Sequence, residues 1–416
     1  MVDSRTATQR LEEGVAHHRA GELPAAIAAY RQVVTALPGD PSGHYLLGLA
    51  LHQRGDHADA AVCWIRTLRI QPDQEEAYTG LLQLMLNPVD LDERIQRAAR
   101  PVLARPPARL QRVQIEVTTW CNLKCAHCLR TIDLAEGTWV NRHLSRADFA
   151  RIVSHLPPSN VICLQGVGES TMHPEILEIV AHAKASGKFK HITLNTNALA
   201  RKADFYKELR DAGLTHLSVS VDSFDPAVAE ACRAGTDVVK LRERLMQIAE
   251  VWEEEITVSI VLSRRNLEDV ELTLSSLNEM GRFEVEIQPM IVYDAALADV
   301  GNQPYALDTV DQERVRTMAA GFGTRYPNLR IGLGGPLSPD FGAGVRCNRP
   351  FYSPYVTVDG YLTPCCTIED PAVLGHTSVL NQSLAEAWRN PVVADWATHY
   401  AVASPSVCEG CCFHVA

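Results

Sequence analysis

Residues 112 to 289 alternate between strand-like and helix-like texture through six strand candidates, and that alternation limits the folds open to them. Strand candidates lie at 112–118, 161–165, 191–195, 216–221, 257–262 and 284–289, with helical stretches near 146–156, 174–186, 203–212, 239–254 and 268–280. Strands that alternate with helices predict an α/β fold with a parallel sheet and helices outside it. Right-handed crossovers would curl that sheet into a partial (β/α)6 barrel, whose chemistry gathers at the C-terminal ends of the strands. The first strand runs into Cys121-Asn122-Leu123-Lys124-Cys125-Ala126-His127-Cys128 at that rim. The spacing C-x3-C-x2-C supplies three thiolates from one short loop. A 4Fe–4S cube usually takes four cysteines, so three would leave one iron open to a small molecule. A structural zinc site with His127 as fourth ligand is the other reading, but packing four ligands into eight residues would strain a tetrahedron.

At 416 residues the chain is too long for one ordinary core, which predicts two or three domains. Its formal net charge of −11 and lack of a basic block argue against a nucleic-acid partner. No run of about 18 apolar residues is present to span a bilayer, and the start, Met1-Val2-Asp3-Ser4-Arg5, has no apolar signal core. A cytoplasmic location is therefore expected. In that reducing compartment the twelve cysteines read as metal ligands rather than disulfides. Cys63, Cys163 and Cys232 sit in apolar contexts and read as packing residues.

Residues 8 to about 90 repeat with a period of 34: Gly14, Gly21, Ala26, Tyr30 and Pro38 recur as Gly48, Gly55, Ala60, Trp64 and Pro72. Small residues where helices cross and an aromatic on the second helix resemble the tetratricopeptide (TPR) pattern. Two units are visible, and Glu75 to Met85 suits a closing helix. Two repeats bury little alone, so the segment is expected to lean on another part of the chain or another subunit. It reads equally as a scaffold and as a groove for a partner's peptide. A Pro/Arg-rich run from Ala99 to Arg109 follows and reads as a stiff linker.

The cysteine loop after the first strand resembles the radical S-adenosylmethionine (SAM) superfamily. That resemblance implies an open iron that chelates the methionine part of SAM and a 5′-deoxyadenosyl radical formed on reduction. It also implies an electron donor such as flavodoxin or ferredoxin. After the second strand, Gly166-Val167-Gly168-Glu169 is similar to the family's Gly-Gly-Glu motif, with Val167 at the middle glycine. The likeness makes Gly166, Gly168 and Glu169 candidates for SAM's amino group. Asn195-Thr196-Asn197 is similar to the Thr-Asn-Gly element of the SPASM/twitch branch, with Ala198 in place of the glycine. Ser220 and Asp222 at the fourth strand inherit contacts to ribose and carboxylate. Ser218, Ser220 and Asp222 share one face, for which a satisfied hydrogen-bond network is the competing reading. Arg264, after the fifth strand, is a further candidate.

Near the C-terminus Cys347, Cys365, Cys408 and Cys411 are spaced C-x17-C-x42-C-x2-C, around a hairpin turn marked by Asp359-Gly360. This is similar to the twitch domain, a shortened SPASM domain of hairpin plus helix, and implies one auxiliary 4Fe–4S cluster. Cys366 and Cys412 are spare neighbours, and zinc is the alternative metal. The resemblance divides the chain into TPR-like repeats at 1–95, a linker at 96–111, a radical SAM barrel at 112–340 and a twitch domain at 341–416. Two activities fit. One is hydrogen abstraction from a peptide or protein in the maturation of ribosomally made peptides. The other is a dehydrogenase of a sugar or cyclitol hydroxyl, with Asp222, Glu286, Tyr293 and Asp294 as conceivable bases. The intact cysteine triad argues against a third reading, a non-catalytic TPR adaptor.

Overall fold

The computed structural model describes residues 4–87, 91–291, 305–338, 346–400, 408 and 411. It divides into two compact units, one drawn from Met1–Arg109, Gly344–Phe351 and Trp388–Pro405, the other from Leu110–Ala343, Tyr352–Ala387 and Ser406–Ala416.

The first unit is helical: α1 (Ser4–Arg19), α2 (Leu23–Ala36), α3 (Pro41–Arg54), α4 (His57–Ile70), α5 (Glu75–Leu86) and α6 (Glu93–Leu103). The repeat seen in the sequence is a steric pairing. A methyl group on Gly14 would meet Tyr30 Cε1 at 2.5 Å, and one on Gly48 would meet the Trp64 indole at 2.7 Å, so each first helix is hollowed to seat the ring on the second. Trp64 also fills Gly80 of α5, where a methyl group would lie 2.8 Å from the ring. That makes α5 the closing helix.

The expected linker is instead helical through Leu103. Ile95, Ala99 and Val102 recur at helical spacing and are buried, and the Asp92 side chain accepts from Ile95 N at 2.9 Å to start the helix. Pro101 stands inside the helix and removes the bond its N–H would have given to the Arg97 carbonyl, a cost offset by the buried face. The helix Pro391–Tyr400 packs on α6, and the Tyr400 hydroxyl donates to the Cys347 carbonyl at 2.8 Å. The extra support that two repeats need thus comes from the chain's own later segments.

The second unit holds β1 (Leu110–Ile115), β2 (Lys124–Cys125), β3 (Ser159–Leu164), β4 (Phe189–Thr196), β5 (His216–Ser220), β6 (Arg233–Ala234), β7 (Thr257–Leu262), β8 (Phe283–Pro289), β9 (Leu329–Leu333), β10 (Tyr355–Val356) and β11 (Leu362–Thr363). Nine form one sheet in the order β11-β10-β1-β3-β4-β5-β7-β8-β9. β1, β3, β4, β5, β7 and β8 are the six strands expected, all parallel to their neighbours. The crossovers carry α7 (Leu129–Glu136), α8 (Arg146–His155), α9 (Ile176–Ala185), α10 (Ala203–Ala212), α11 (Pro226–Cys232), α12 (Val238–Val251) and α13 (Val270–Met280). α14 (Thr309–Ala319) precedes β9. Two additions were not foreseen: β9 extends the β8 edge, and β10 pairs parallel with β1. The β10–β11 hairpin turns at Gly360, whose φ of 77° is the left-handed conformation expected of Asp359-Gly360.

Period-two alternation separates the sheet's faces. Val113, Ile162 and Ile192 stand in register, as do Val219, Val258 and Val285, and all are 1% exposed or less. Each such side chain contributes about 1.5–3 kcal/mol by leaving water. The opposite face carries Asn195, Ser218, Thr257 and Glu284 in one row and Ser220, Ser259 and Glu286 in the next. Some of these pair among themselves, as in Ser218 Oγ to Ser259 Oγ at 2.7 Å. The core therefore lies under the helices, and the inner face is polar.

Gly80→Ala should destabilise the helical unit by about 1–3 kcal/mol, because the Trp64 ring must shift. Urea unfolding of the full chain followed by tryptophan fluorescence measures this, with Gly39→Ala, which meets nothing within 4 Å, as the neutral control.

Candidate active site

The cysteine loop leaves the rim of β1 and is held from two sides. Arg130 at the start of α7 is buried, and its guanidinium donates to Thr119 O at 3.0 Å and Leu123 O at 3.2 Å, closing the loop on itself. β2, which contains Cys125, pairs antiparallel with β6, and Ala126 N donates to Cys232 O at 2.9 Å. This ribbon delivers Arg233 to the cysteines. Its Nη1 lies 3.8 Å from Cys125 Sγ, and its Nε donates to Asp222 Oδ2 at 2.7 Å. Asp222 Oδ1 also accepts from Val261 N at 2.9 Å. With both oxygens engaged and the side chain 1% exposed, Asp222 is a clamp for Arg233 and not the free base expected.

Across the loop lies the turn after β3. A methyl group on Gly168 would sit 2.2 Å from Thr118 O, and one on Gly166 would sit 2.3 Å from Glu116 Cγ. These glycines were expected to let backbone approach a ligand. In the structure they let this turn approach the chain leading into Cys121. Glu169 N donates to Trp120 O at 2.7 Å, and Val167 O lies 3.9 Å from Cys128 Sγ. The Glu169 carboxylate is buried but satisfied: Oε1 accepts from Thr171 N (3.2 Å), Thr171 Oγ1 (2.6 Å) and Thr196 Oγ1 (2.7 Å). Among the described residues Oε2 takes Asn197 N alone, at 2.7 Å, and is the oxygen with capacity for another donor.

Asn197, two residues beyond the candidate SAM contact Asn195, knits this region together. Its Nδ2 donates to Asn122 Oδ1 at 2.9 Å, inside the cysteine loop. Ala198 then adopts φ 60°, the conformation that explains a glycine in the resembling element. An alanine there costs about 1–2 kcal/mol, offset here by Ala198 N to Thr196 Oγ1 at 3.0 Å and by complete burial. Asn195 and Ser220 line the inner face on adjacent strands. Arg264 does not join them. It is 40% exposed and pairs with Asp308 and with Asp311 (2.6 Å) at the N-terminus of α14. Acids at a helix start attract a cation outward, which a strand-end position does not reveal. Glu286 is exposed on β8, and Tyr293 and Asp294 lie outside the described residues.

Burial pushes the thiols up, Cys121 to about 11 and Cys128 to about 12, with Cys125 also raised despite Arg233. A metal bound there must displace these protons, so its binding releases protons to solvent. His127 is pushed down to about 4, first by burial and then by Arg233, and stays neutral. Among the described residues no three His, Cys, Asp or Glu side chains converge on a single ion. Three ligands of a cube sit on three separate irons and need no such convergence, so the donor set fits the cluster. Of the later cysteines, Cys347 belongs to the first unit and Cys365, Cys408 and Cys411 to the second. Cys347 Sγ accepts from Arg349 N at 3.4 Å, Cys365 is buried beside Thr367 at 3.0 Å, and Cys411 N donates to Cys408 O at 3.1 Å. Cys366 is half-buried, and Cys412 is outside the described residues. Cys163 and Cys232 are buried, as packing residues should be.

Arg130, Arg233 and Glu116 escaped the sequence reading, for they reach the loop through tertiary structure. Arg130, two residues past the last cysteine, carried the only local signal.

Residues 115–277 match the model of the radical SAM superfamily, residues 11–75 the tetratricopeptide repeat, and residues 347–412 an iron–sulfur cluster-binding domain. The chain is 24% identical over 270 residues to a GTP 3′,8-cyclase of Limosilactobacillus fermentum, covering 61% of this chain and 78% of that protein. It is 24% identical over 320 residues to a PqqA peptide cyclase of Xanthomonas axonopodis pv. citri, covering 74% and 81%. In fold it resembles Streptococcus suis SuiB bound to the precursor peptide SuiA (TM-score 0.56, 14% identity, 86% of this chain and 87% of that one). It also resembles anSMEcpe with bound AdoMet and a Cp18Cys peptide (TM-score 0.54, 15% identity, 72% and 85%). No helix among the described residues is long and apolar enough to cross a membrane. The chain is a radical SAM enzyme of the SPASM branch, with tetratricopeptide repeats ahead of its barrel and an iron–sulfur cluster-binding domain behind it.

Proposed function

We propose that Cys121, Cys125 and Cys128 hold a 4Fe–4S cluster with SAM at its open iron, and that the enzyme takes hydrogen from a peptide substrate in natural-product maturation. The observation that carries the reading is the loop of three thiols locked against the Gly166–Glu169 turn. The peptide class is supported by the PqqA peptide cyclase likeness and by the peptide complexes among the similar folds. The repeats at 11–75 add a segment of a kind that binds polypeptides. Cys347, Cys365, Cys408 and Cys411 are the proposed ligands of an auxiliary cluster.

Bound together, the cluster, an electron donor such as flavodoxin or ferredoxin, and SAM supply a 5′-deoxyadenosyl radical, and the auxiliary cluster offers a second electron carrier. The chain's own groups set the conditions. Three thiolates concentrate negative charge, and Arg233, fixed by Asp222, places a permanent cation 3.8 Å from one of them. Glu169 Oε2, which accepts from Asn197 N, has capacity left to partner an ammonium. Asn195 and Ser220 on the polar inner face suit the hydroxyls of a ribose.

Anaerobic reconstitution should give about eight irons and eight sulfides per chain. A triple Cys121/Cys125/Cys128→Ala variant should keep a weaker iron signal but form no 5′-deoxyadenosine from SAM and dithionite. One zinc and no sulfide would overturn the scheme. To test the substrate class, perdeuterated cell extract is separated by size and each fraction is offered to the enzyme. Deuterium in 5′-deoxyadenosine from the peptide fraction supports the proposal, whereas label only from small metabolites points to a sugar or cyclitol hydroxyl.

Arg233→Met should cost about 3–5 kcal/mol of stability by stranding buried Asp222, and thermal unfolding of the apoprotein reads it out. The double variant with Asp222→Asn should recover most of that loss.

A further inference from the structure

One buried carboxylate remains without a part in this scheme. Glu116 follows β1 directly, is 5% exposed, and is anchored through its own N–H to Val356 O at 2.9 Å. Its two oxygens serve two different loops. Oε1 accepts from Val167 N at 3.1 Å, in the turn that meets the cysteines, and Oε2 accepts from Val358 N at 3.1 Å, in the hairpin that leads to Cys365. The turn has been shaped to admit it, since any side chain at Gly166 would overlap Glu116 Cβ, Cγ and Oε1 at 2.7, 2.3 and 2.4 Å.

We propose that Glu116 is a positioning residue that couples the SAM-holding turn Gly166–Gly168 to the auxiliary hairpin, so that order in one is transmitted to the other. A carboxylate offers an acceptor to each N–H at once. A glutamine offers one, and its amide would oppose an N–H with another donor. A neutral residue would be less costly to bury, and the neighbouring acid Asp359 adds to the cost. Burial pushes the Glu116 carboxyl up, while the N–H donors of Val167 and Val358 pull it back. The expense is understandable if both loops must be held together. Such coupling is reciprocal: whatever orders the turn also orders the hairpin. The proposal rests on the reading of the turn as the SAM site.

The test uses full-length reconstituted protein, wild type against Glu116→Gln, with Glu116→Ala as a second variant. Iron and sulfide contents should match. SAM affinity, titrated by the change SAM makes in the EPR spectrum of the reduced cluster, should fall about tenfold in Glu116→Gln, the effect of one buried N–H left unpaired. Amide hydrogen exchange should quicken in both 166–169 and 356–360, and added SAM should slow exchange in 356–360 of the wild type only. Unchanged affinity, or quickened exchange in one segment alone, would overturn the coupling. A wild-type cluster indifferent to SAM would instead overturn the site reading, and the exchange measured without SAM would still decide whether Glu116 joins the two loops.

Discussion

The close backbone approach between the turn after β3 and the chain entering Cys121 is the constraint on which the site depends. At Gly168 there is no room for a methyl group, since its position lies 2.2 Å from Thr118 O, and Glu169 N reaches Trp120 O at 2.7 Å. Two segments that are neighbours only because β1 and β3 pair thus become one surface, with thiols on one side and a carboxylate on the other. A larger residue at 168 would part them and separate the proposed cluster from the proposed SAM contact.

Charge is the second organising theme. The interior around the cysteines contains Asp222, Glu169 and Glu116, each buried. Buried carboxylates are tolerated only with compensating partners. Each has a different solution: Asp222 an ion pair with Arg233, Glu169 four hydrogen-bond donors from two segments, and Glu116 two backbone N–H groups from two loops. These partners arrive from distant stretches of chain, so the acids also record how the loops are assembled.

Much of the barrel was legible in the sequence, because its strands alternate buried Val, Ile and Leu with polar residues and its helices lie between. The hairpin at Asp359-Gly360 was legible for a conformational reason, as only glycine takes that φ readily. The short β10 and the later β9 were not, since two to five residues carry too little pattern to show which edge they join. The Pro/Arg-rich run read as a stiff linker is helical through Leu103, because the buried face of Ile95, Ala99 and Val102 offsets the bond lost at Pro101. At the site the cysteines stood out by their spacing and Glu169 by its likeness to the family's Gly-Gly-Glu motif. Arg233 did not, for it depends on a two-residue ribbon, and Arg264 misled because its acidic partners lie more than forty residues away.

The central claim is that the three-thiol loop holds a cube with one iron free for SAM. Mössbauer spectroscopy of protein reconstituted with 57Fe tests it most directly. The account predicts that SAM alters the isomer shift and quadrupole splitting of a single iron of the barrel cluster and leaves the other irons as they were. Spectra identical with and without SAM, or a change spread evenly over every iron, would contradict it.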